Sequence, residues 1–211
     1  MYLVPGTWYL DVEVPSTKYV VPPHDSGAVV RLLFIGPPGA GKGTQAAKVA
    51  ERLGIPHIST GDMFRHHVST GTALGKLVDS IMKAGEYVPD EITVEMLRER
   101  MAEPDAADGY ILDGFPRTAG QVAALDGLLG EDGLDSVVVF DVDEDALVER
   151  LLSRGRADDT EDTIRNRFKV YQEQTAPLLD IYGDRGLIVH VDGMAPVEVV
   201  TERILSALVR P

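Results

Sequence analysis

Short apolar runs alternate along this chain with longer segments that have helical periodicity. Each apolar run is short enough to be a buried strand. The five strand candidates are Arg31–Ile35, His57–Ile58, Tyr110–Leu112, Ser136–Asp141 and Leu187–Asp192. Because apolar strands separated by helices form parallel sheets that are covered on both faces, the pattern predicts a three-layer α/β/α fold with a five-stranded parallel sheet.

Eight segments have the composition and spacing of helices. They are Lys42–Leu53, Asp62–Ser69, Leu74–Ala84, Asp90–Met101, Ala119–Leu129, Glu144–Ser153, Glu161–Tyr182 and Pro196–Leu208. We expect Pro177 to kink or divide the seventh helix, because proline has no N–H for the helix ladder and its ring clashes with the preceding turn. Residues 1–29 contain four prolines and no helical period. We interpret them as an appended N-terminal arm that is weakly packed, although its Tyr, Trp and Val content is compatible with a short strand.

The segment Gly36–Gln45 reads Gly-Pro-Pro-Gly-Ala-Gly-Lys-Gly-Thr-Gln and connects the first strand candidate to the first helix candidate. Glycines let the backbone approach phosphate oxygens, and the N–H groups and dipole of a helix start attract an anion. Lys42 adds a mobile charge for the outer phosphates. The loop departs from the general phosphate-loop pattern because Gly43 stands between the lysine and Thr44. The alternative is a glycine-rich turn without a ligand; the motif favours a nucleoside triphosphate site.

Charge limits the classes of partner. The chain has 20 basic and 34 acidic residues and a formal net charge of −14, which argues against non-specific nucleic-acid binding and against an anionic membrane surface. Most arginines in the second half of the chain lie between Arg117 and Arg167. If they converge on one cleft, local focusing outweighs the global negative charge. The alternative is that they are solvated surface charges.

Composition also indicates the compartment. The chain has no cysteine, so disulfides and a Cys-ligated zinc site are excluded. No stretch approaches the roughly 20 apolar residues of a membrane span, and no signal peptide is visible. We therefore expect a cytoplasmic protein with one sizeable core.

The form of the loop, with glycine between lysine and threonine, resembles that of nucleoside monophosphate kinases and of adenylate kinases above all. Other stretches match that family in order: Ser-Thr-Gly-Asp-Met-Phe-Arg at 59–65, Leu-Asp-Gly-Phe-Pro-Arg-Thr at 112–118, Gln121, Arg-Gly-Arg-Ala-Asp-Asp at 154–159 and Arg-Asn-Arg at 165–167. The resemblance covers about Val30 to the C-terminus. It implies a P-loop NTPase-type adenylate kinase domain over residues 30–211, with a small NMP-binding lobe at 59–88 and a lid at 154–160. This lid is too short for the hairpin or zinc knuckle of long-lid bacterial enzymes.

The same resemblance implies an activity: reversible, Mg²⁺-dependent transfer of the ATP γ-phosphate to AMP, giving two ADP and serving adenine nucleotide homeostasis. Its partners would be ATP, AMP and ADP, with neither nucleic acid nor membrane, and the enzyme would be a monomer. One rival is a kinase of UMP or CMP. A rival of another class is a nucleotide-binding regulatory or scaffold protein that has lost transfer, although the intact set of arginines argues against it.

The resemblance also assigns residues. The implied ATP-binding residues are Gly39, Ala40, Gly41, Lys42, Gly43, Thr44, Arg150, Arg154 and Ala195. The implied AMP-binding residues are Thr60, Arg65, Glu86, Tyr87, Val88, Gly114, Phe115, Pro116, Arg117, Gln121, Arg156 and Arg167. The implied catalytic charges are Lys42, Arg117, Arg154, Arg156 and Arg167. Asp113 would hold Mg²⁺ through water, and Asp158 and Asp159 would hold the lid closed, unless they form only an acidic cluster that favours a helix start.

Two residues bear on the acceptor base. Thr60 matches the adenylate kinase type, whereas pyrimidine monophosphate kinases usually carry Ala at this position, so Thr60 favours AMP. Gln121, four residues after Arg117, can offer both a donor and an acceptor to an adenine edge. The alternative for Gln121 is an ordinary glutamine on a helix surface.

Overall fold

The computed structural model describes residues 29–156 and 159–208, so the predicted arm lies outside this part except for its last residue. Within the described residues, five parallel strands form one sheet in the order β2-β3-β1-β4-β5. The strands are β1 (Val30–Ile35), β2 (His57–Ser59), β3 (Gly109–Asp113), β4 (Ser136–Asp141) and β5 (Ile188–Asp192). The predicted α/β fold with a five-stranded parallel sheet is confirmed, and each strand boundary lies within one residue of the predicted one.

Nine α-helices connect or follow these strands in the described part of the chain. They are α1 (Lys42–Leu53), α2 (Thr60–Ser69), α3 (Ala73–Ala84), α4 (Asp90–Met101), α5 (Ala119–Leu129), α6 (Glu144–Arg154), α7 (Glu161–Val170), α8 (Leu178–Asp184) and α9 (Val197–Leu208). Helix α2 begins two residues earlier than predicted because the Ser59 side chain accepts a hydrogen bond from the Asp62 N–H and caps the helix.

The predicted seventh helix is divided. A π-helical turn, Tyr171–Thr175, follows α7, and its Ala176 N–H donates to the Tyr171 carbonyl five residues earlier. Pro177 then precedes α8, as expected for a residue that cannot donate to the helix ladder. The π turn lies beside the site described below, a frequent location for such turns.

The core has two layers of side chains, one on each face of the sheet. Successive strand residues point to opposite faces, so Leu33 and Ile35 of β1 join one cluster and Leu32 and Phe34 join the other. Helices α4, α5 and α8 cover the first cluster, and α1 and α9 cover the second. A smaller cluster packs α2 and α3 beside α4 through Phe64, Val78, Val88 and Met96.

The central strand places the functional loops. β1 lies between β3 and β4, and ligands of open parallel sheets bind beyond the carboxyl ends of the strands. The segments after Ile35 and Asp113 therefore meet at one edge. Among the described residues, no helix is both long and apolar enough to cross a membrane.

Candidate active site

A cleft of about 890 Å³ opens at this edge of the sheet. Nearly all the residues implied by the sequence motifs line it. They are Gly39, Ala40, Gly41, Lys42, Gly43, Thr44, Thr60, Arg65, Glu86, Tyr87, Val88, Asp113, Gly114, Pro116, Arg117, Gln121, Arg150, Arg154, Arg156, Arg167 and Ala195. Phe115 is instead buried in the core, with 1% of its surface exposed. Asp158 lies outside the described residues.

The glycine loop leaves β1 and enters α1 at Lys42. Gly41 is the residue before the helix, with a φ of 89°, and no side chain caps the first turn. A Cβ on Gly39, whose φ is 83°, would lie 3.1 Å from both the Leu147 carbonyl oxygen and the Leu151 side chain. The N–H groups of a first helical turn have no acceptor within the helix. The loop therefore presents backbone donors to an anion at the carboxyl end of β1.

Lys42 folds back over this loop. Its Nζ donates to the carbonyl oxygens of Gly36 at 2.7 Å and Pro37 at 3.0 Å. Burial lowers the pKa of Lys42 to about 8; Asp113 opposes this shift, and the charges of Arg117 and Arg154 add to it. The ammonium is therefore mostly protonated at pH 7, but it lies among other positive charges in a site suited to an anion.

Asp113 ends β3 next to the loop. Its Oδ2 lies 3.3 Å from His57 Nε2, and only 12% of its side chain is exposed. A Cβ on Gly43 would come within 3.4 Å of the same oxygen. Burial alone would raise the pKa of Asp113, but the hydrogen bond from His57 and the charge of Lys42 hold it below its usual value. The carboxylate is thus ionised beside the phosphate loop.

Asp159 holds two of the implied catalytic arginines. Its carboxylate accepts hydrogen bonds from Nε and Nη2 of Arg154, both at 2.8 Å, and from Nη1 of Arg167 at 2.9 Å. Only 1% of the Asp159 side chain is exposed, so these charge-assisted bonds are little screened by water. The carboxylate joins the end of α6 to α7 and orients both arginines, while its predicted role in lid closure stays a prediction.

Asp62 connects two further arginines. Its Oδ1 accepts a hydrogen bond from Arg65 Nε at 3.2 Å and lies 3.9 Å from Arg156 Nη2. Burial alone would raise the pKa of Asp62, but the hydrogen bond and charge of Arg65 hold it below its usual value. Burial, followed by the charges of Arg65 and Arg154, lowers the pKa of the Arg156 guanidinium. These groups concentrate positive charge in the cleft.

Arg117 is fixed from three sides. Its Nε donates to the Gly114 carbonyl at 2.7 Å, and its guanidinium lies 4.9 Å from the centre of the Tyr87 ring. Its own carbonyl accepts from the Thr175 hydroxyl in the π turn at 2.9 Å, and Thr175 pairs with the Tyr87 hydroxyl at 2.9 Å. Thr60, buried, donates to the same Gly114 carbonyl at 2.9 Å. The β3 loop, α2 and the π turn therefore position Arg117 jointly, through its backbone, its side chain and the Gly114 carbonyl that its side chain contacts.

Gln121 is not on the surface, because only 2% of it is exposed. Its Oε1 accepts from the Arg117 backbone N–H at 2.7 Å, and its Nε2 donates to Asp90 Oδ1 at 2.7 Å. The other oxygen of Asp90 accepts from the Thr118 hydroxyl at 2.7 Å. The alternative of a surface glutamine is therefore wrong, whereas the reading of adenine by Gln121 stays a prediction.

Gln45 connects the loop helix to the segment around Ala195. Its Nε2 donates to the Val197 carbonyl at 2.9 Å, and its Oε1 accepts from the Thr201 hydroxyl at 2.7 Å. The side chain is buried, with 4% exposed. The segment implied to meet the donor base is thus attached directly to α1.

Sequence reasoning missed several side chains that organise the cleft. Three of them stood in or beside the quoted motifs, where a polar residue next to a strand or helix end was an available signal: Gln45, His57 and Asp62. Asp90 and Thr175 lay far along the chain from their partners. No local pattern indicated their contacts.

Comparison with known proteins agrees with this geometry. A family model described as "Adenylate kinase" matches residues 34–187. The chain is 55% identical over 181 residues to the adenylate kinase of Rhodococcus erythropolis, covering 85% of this chain and 99% of that protein. It is 54% identical over 183 residues to that of Nocardia farcinica (86% and 100%) and 49% identical over 180 residues to that of a Synechococcus strain (84% and 98%). This chain belongs to the adenylate kinase family.

Proposed function

We propose that the cleft carries out the reversible transfer of the γ-phosphoryl group of ATP to AMP, giving two ADP. The observation that carries the proposal is the convergence of Lys42 and six arginines on one cleft of a protein whose net charge is −14. The six arginines are Arg65, Arg117, Arg150, Arg154, Arg156 and Arg167. Phosphoryl transfer depends on positioning and on neutralising charge, because two anionic substrates must meet despite their repulsion.

The donor side is built on the loop and α1. The backbone donors at Gly39–Thr44 and the ammonium of Lys42 would bind the ATP phosphates. Arg150 and Arg154, both in α6, also line the cleft. The donor adenine would meet the backbone near Ala195, a segment that Gln45 attaches to α1.

The acceptor side is built on α2, on the loop after β3 and on the segment Glu86–Val88. Arg65 and Arg117 would bind the AMP phosphate. Thr60, Gln121 and the backbone of Glu86–Val88 would contact adenine. The Arg117 guanidinium lies over the Tyr87 ring, so the residue proposed to bind phosphate contacts the segment proposed to contact the base.

Arg154, Arg156 and Arg167 would neutralise the group in transfer. Asp159 supports this role because its buried carboxylate holds Arg154 of α6 and Arg167 of α7 together, and both arginines line the cleft. An arginine that stabilises a transferring phosphoryl group contributes about 10³ to 10⁵ in rate. The phosphoryl group would pass in line from donor to acceptor, without a covalent enzyme intermediate.

Asp113 is the residue that would hold Mg²⁺, through water. Mg²⁺ keeps several waters and uses one or two carboxylates together with substrate phosphates, and a single ionised carboxylate beside the phosphate loop fits this set. In residues 29–156 and 159–208 no cluster of three His, Asp or Glu side chains could chelate a metal. When bound, the ion would neutralise charge on the outer phosphates.

The proposal includes closure of the NMP-binding lobe (59–88) and the lid (154–160) over both nucleotides, which excludes water. The end of α3 already contacts α7: Thr163 donates to the Lys83 carbonyl and Asn166 to the Ala84 carbonyl, both at 2.8 Å. Binding energy from ATP and AMP together would drive closure. We further propose that the enzyme acts as a cytoplasmic monomer.

The test is a coupled assay of ADP formation from ATP with AMP, CMP, UMP or GMP as acceptor. We expect kcat/KM for AMP to exceed the others by roughly two orders of magnitude or more, because a site that hydrogen-bonds its substrate leaves buried polar groups unpaired with the wrong base. A preference for UMP or CMP would select the pyrimidine kinase instead. A folded protein that binds ATP but forms no ADP with any acceptor would select the regulatory alternative.

A further inference from the structure

We propose that Asp90 is a positioning residue for the acceptor base, because it fixes the direction in which Gln121 presents its amide. The inference rests on the proposed role of Gln121 in reading the base. It adds that a residue of another helix, Asp90 in α4, determines how Gln121 in α5 is oriented toward the base.

The contacts are specific. Asp90 is the first residue of α4 and follows the Glu86–Val88 segment by two positions. One carboxylate oxygen accepts from Gln121 Nε2 and the other from the Thr118 hydroxyl, each at 2.7 Å. A Cβ on Gly120 would lie 2.8 Å from Asp90 Oδ2. The absence of a side chain at Gly120 therefore permits this approach of α4 to the start of α5.

The chemistry of the partners allows one amide orientation. An ionised carboxylate can only accept, so it must face the NH₂ of Gln121, and the Arg117 backbone N–H can only donate, so it must face Oε1. Reversing the amide would place two acceptors against each other at Asp90 and two donors against each other at Arg117. Asp90 and Arg117 together exclude the reversed form.

This orientation leaves a defined pair of groups for the base. An amide has two N–H donors and two oxygen lone pairs, so one donor and one acceptor remain after the bonds to Asp90 and Arg117. Adenine presents an amino donor beside a ring-nitrogen acceptor, whereas a 6-oxopurine presents a carbonyl acceptor where adenine has its amino group. Gln121 lines the cleft, so a fixed amide would favour the 6-amino base over the 6-oxo base.

A purely structural role for Asp90 would affect thermal stability and not base selectivity. Asp90 and Glu91 are both acidic residues in the first turn of α4, where a negative charge favours the helix dipole. If Asp90 did no more than this, its removal would lower thermal stability and leave the choice of base unchanged. Glu91 is exposed, so Glu91→Ala is the matched control for the dipole contribution.

The experiment compares AMP with IMP, which differ at the 6-position of the purine. Asp90→Ala should raise the KM for AMP about tenfold and lower the AMP/IMP ratio of kcat/KM by a similar factor, with the KM for ATP unchanged. Asp90→Ser is the second variant, since Ser suits a helix start but its shorter side chain falls short of Gln121. Asp90→Asn should restore most of the selectivity, because its oxygen can accept from Gln121 while its NH₂ donates to Thr118. Glu91→Ala should leave the ratio unchanged.

A double-mutant cycle decides whether Asp90 acts through Gln121. We expect Asp90→Ala combined with Gln121→Ala to have the same AMP/IMP ratio as Gln121→Ala alone. Additive losses, or an Asp90→Ser enzyme whose ratio equals that of the wild type, would overturn the inference. If Gln121→Ala by itself leaves the ratio unchanged, the base-reading role of Gln121 falls and the inference falls with it. ADP formation by the wild-type enzyme tests the proposed activity separately.

Discussion

ATP affinity should fall as the pH rises through 8, because the binding-competent form of Lys42 carries a proton. Burial lowers the pKa of this lysine from 10.5 to about 8 in the free protein. The protonated fraction then drops from about nine-tenths at pH 7 to about one-tenth at pH 9. The negative phosphates of ATP favour the protonated form of Lys42, so ATP binding near pH 9 requires Lys42 to take up a proton. We expect the Kd for ATP to rise about tenfold between pH 7 and pH 9.

The assay is calorimetric titration of ATP at pH 7.0, 8.0 and 9.0 with two variants as controls. A phosphate monoester whose last pKa is about 6 is roughly nine-tenths ionised at pH 7, so titration of the nucleotide should contribute little between pH 7 and pH 9, and the Lys42→Met profile measures that contribution. Lys42→Arg keeps its charge at pH 9 and should flatten the profile. Lys42→Met should bind ATP weakly with little dependence on pH, and it should nearly abolish transfer.

Stability gives an independent check with a definite sign. The pKa of Lys42 is lower in the folded state than in the unfolded chain, so the unfolded state binds more protons between pH 8 and pH 10.5, and stability from this group rises with pH across that window. At pH 7 the folded state bears the cost of a buried charge, so Lys42→Met should melt at or above the wild-type temperature. A wild-type Kd that is constant from pH 7 to pH 9, or a Lys42→Met protein of markedly lower Tm, would refute the reasoning.

Four further predictions test other parts of the molecule. Thr60→Ala removes the hydroxyl that donates to the Gly114 carbonyl and should lower the AMP/CMP ratio of kcat/KM while transfer continues; an unchanged ratio would show that Thr60 does not read the base. Tyr182→Phe should raise stability by about 1 kcal/mol, or about 2–4 °C in Tm, because the buried Tyr182 hydroxyl has no hydrogen-bond partner among the described residues; a loss of stability would indicate a partner. Deleting residues 1–29 should change neither turnover nor Tm appreciably, and a large drop in Tm would mean that the arm packs on the core. A molecule joining two adenosines through five phosphates should bind far more tightly than ATP or AMP and slow hydrogen exchange in the NMP-binding lobe and the lid together, whereas protection of the phosphate loop alone would argue against closure.

Local patterns were sufficient for most of the fold. The apolar runs predicted each strand to within one residue because a strand buried on both faces must be apolar along its length. The bounds Lys42–Leu53, Asp90–Met101 and Ala119–Leu129 were predicted as observed, since Gly54 and Gly130 directly follow two of these helices. The start of α2 was predicted two residues too late. The Ser59 side chain caps the helix by accepting a hydrogen bond from the Asp62 N–H, and helix-forming composition alone does not indicate this contact.

The phosphate loop was equally readable from sequence. Its glycines, Lys42 and the following helix are contiguous, so a single stretch of the chain contains all the groups of the proposed anion-binding loop. The conformation of the loop follows from these residues, because Gly39 and Gly41 adopt positive φ angles and glycine does so without strain.

Only the tertiary structure decided how the remaining site residues pair. Asp159 joins Arg154 to Arg167, Asp90 orients Gln121, and the π turn brings Thr175 to Arg117. Each pair spans different helices or loops, and its distance depends on how those elements pack on the sheet. The amino-acid sequence by itself determined the strands and helices of the sheet fold and which charged residues the site could contain. Packing determined which donor met which acceptor, because hydrogen bonds and ion pairs require contact distances that periodicity along the chain does not specify.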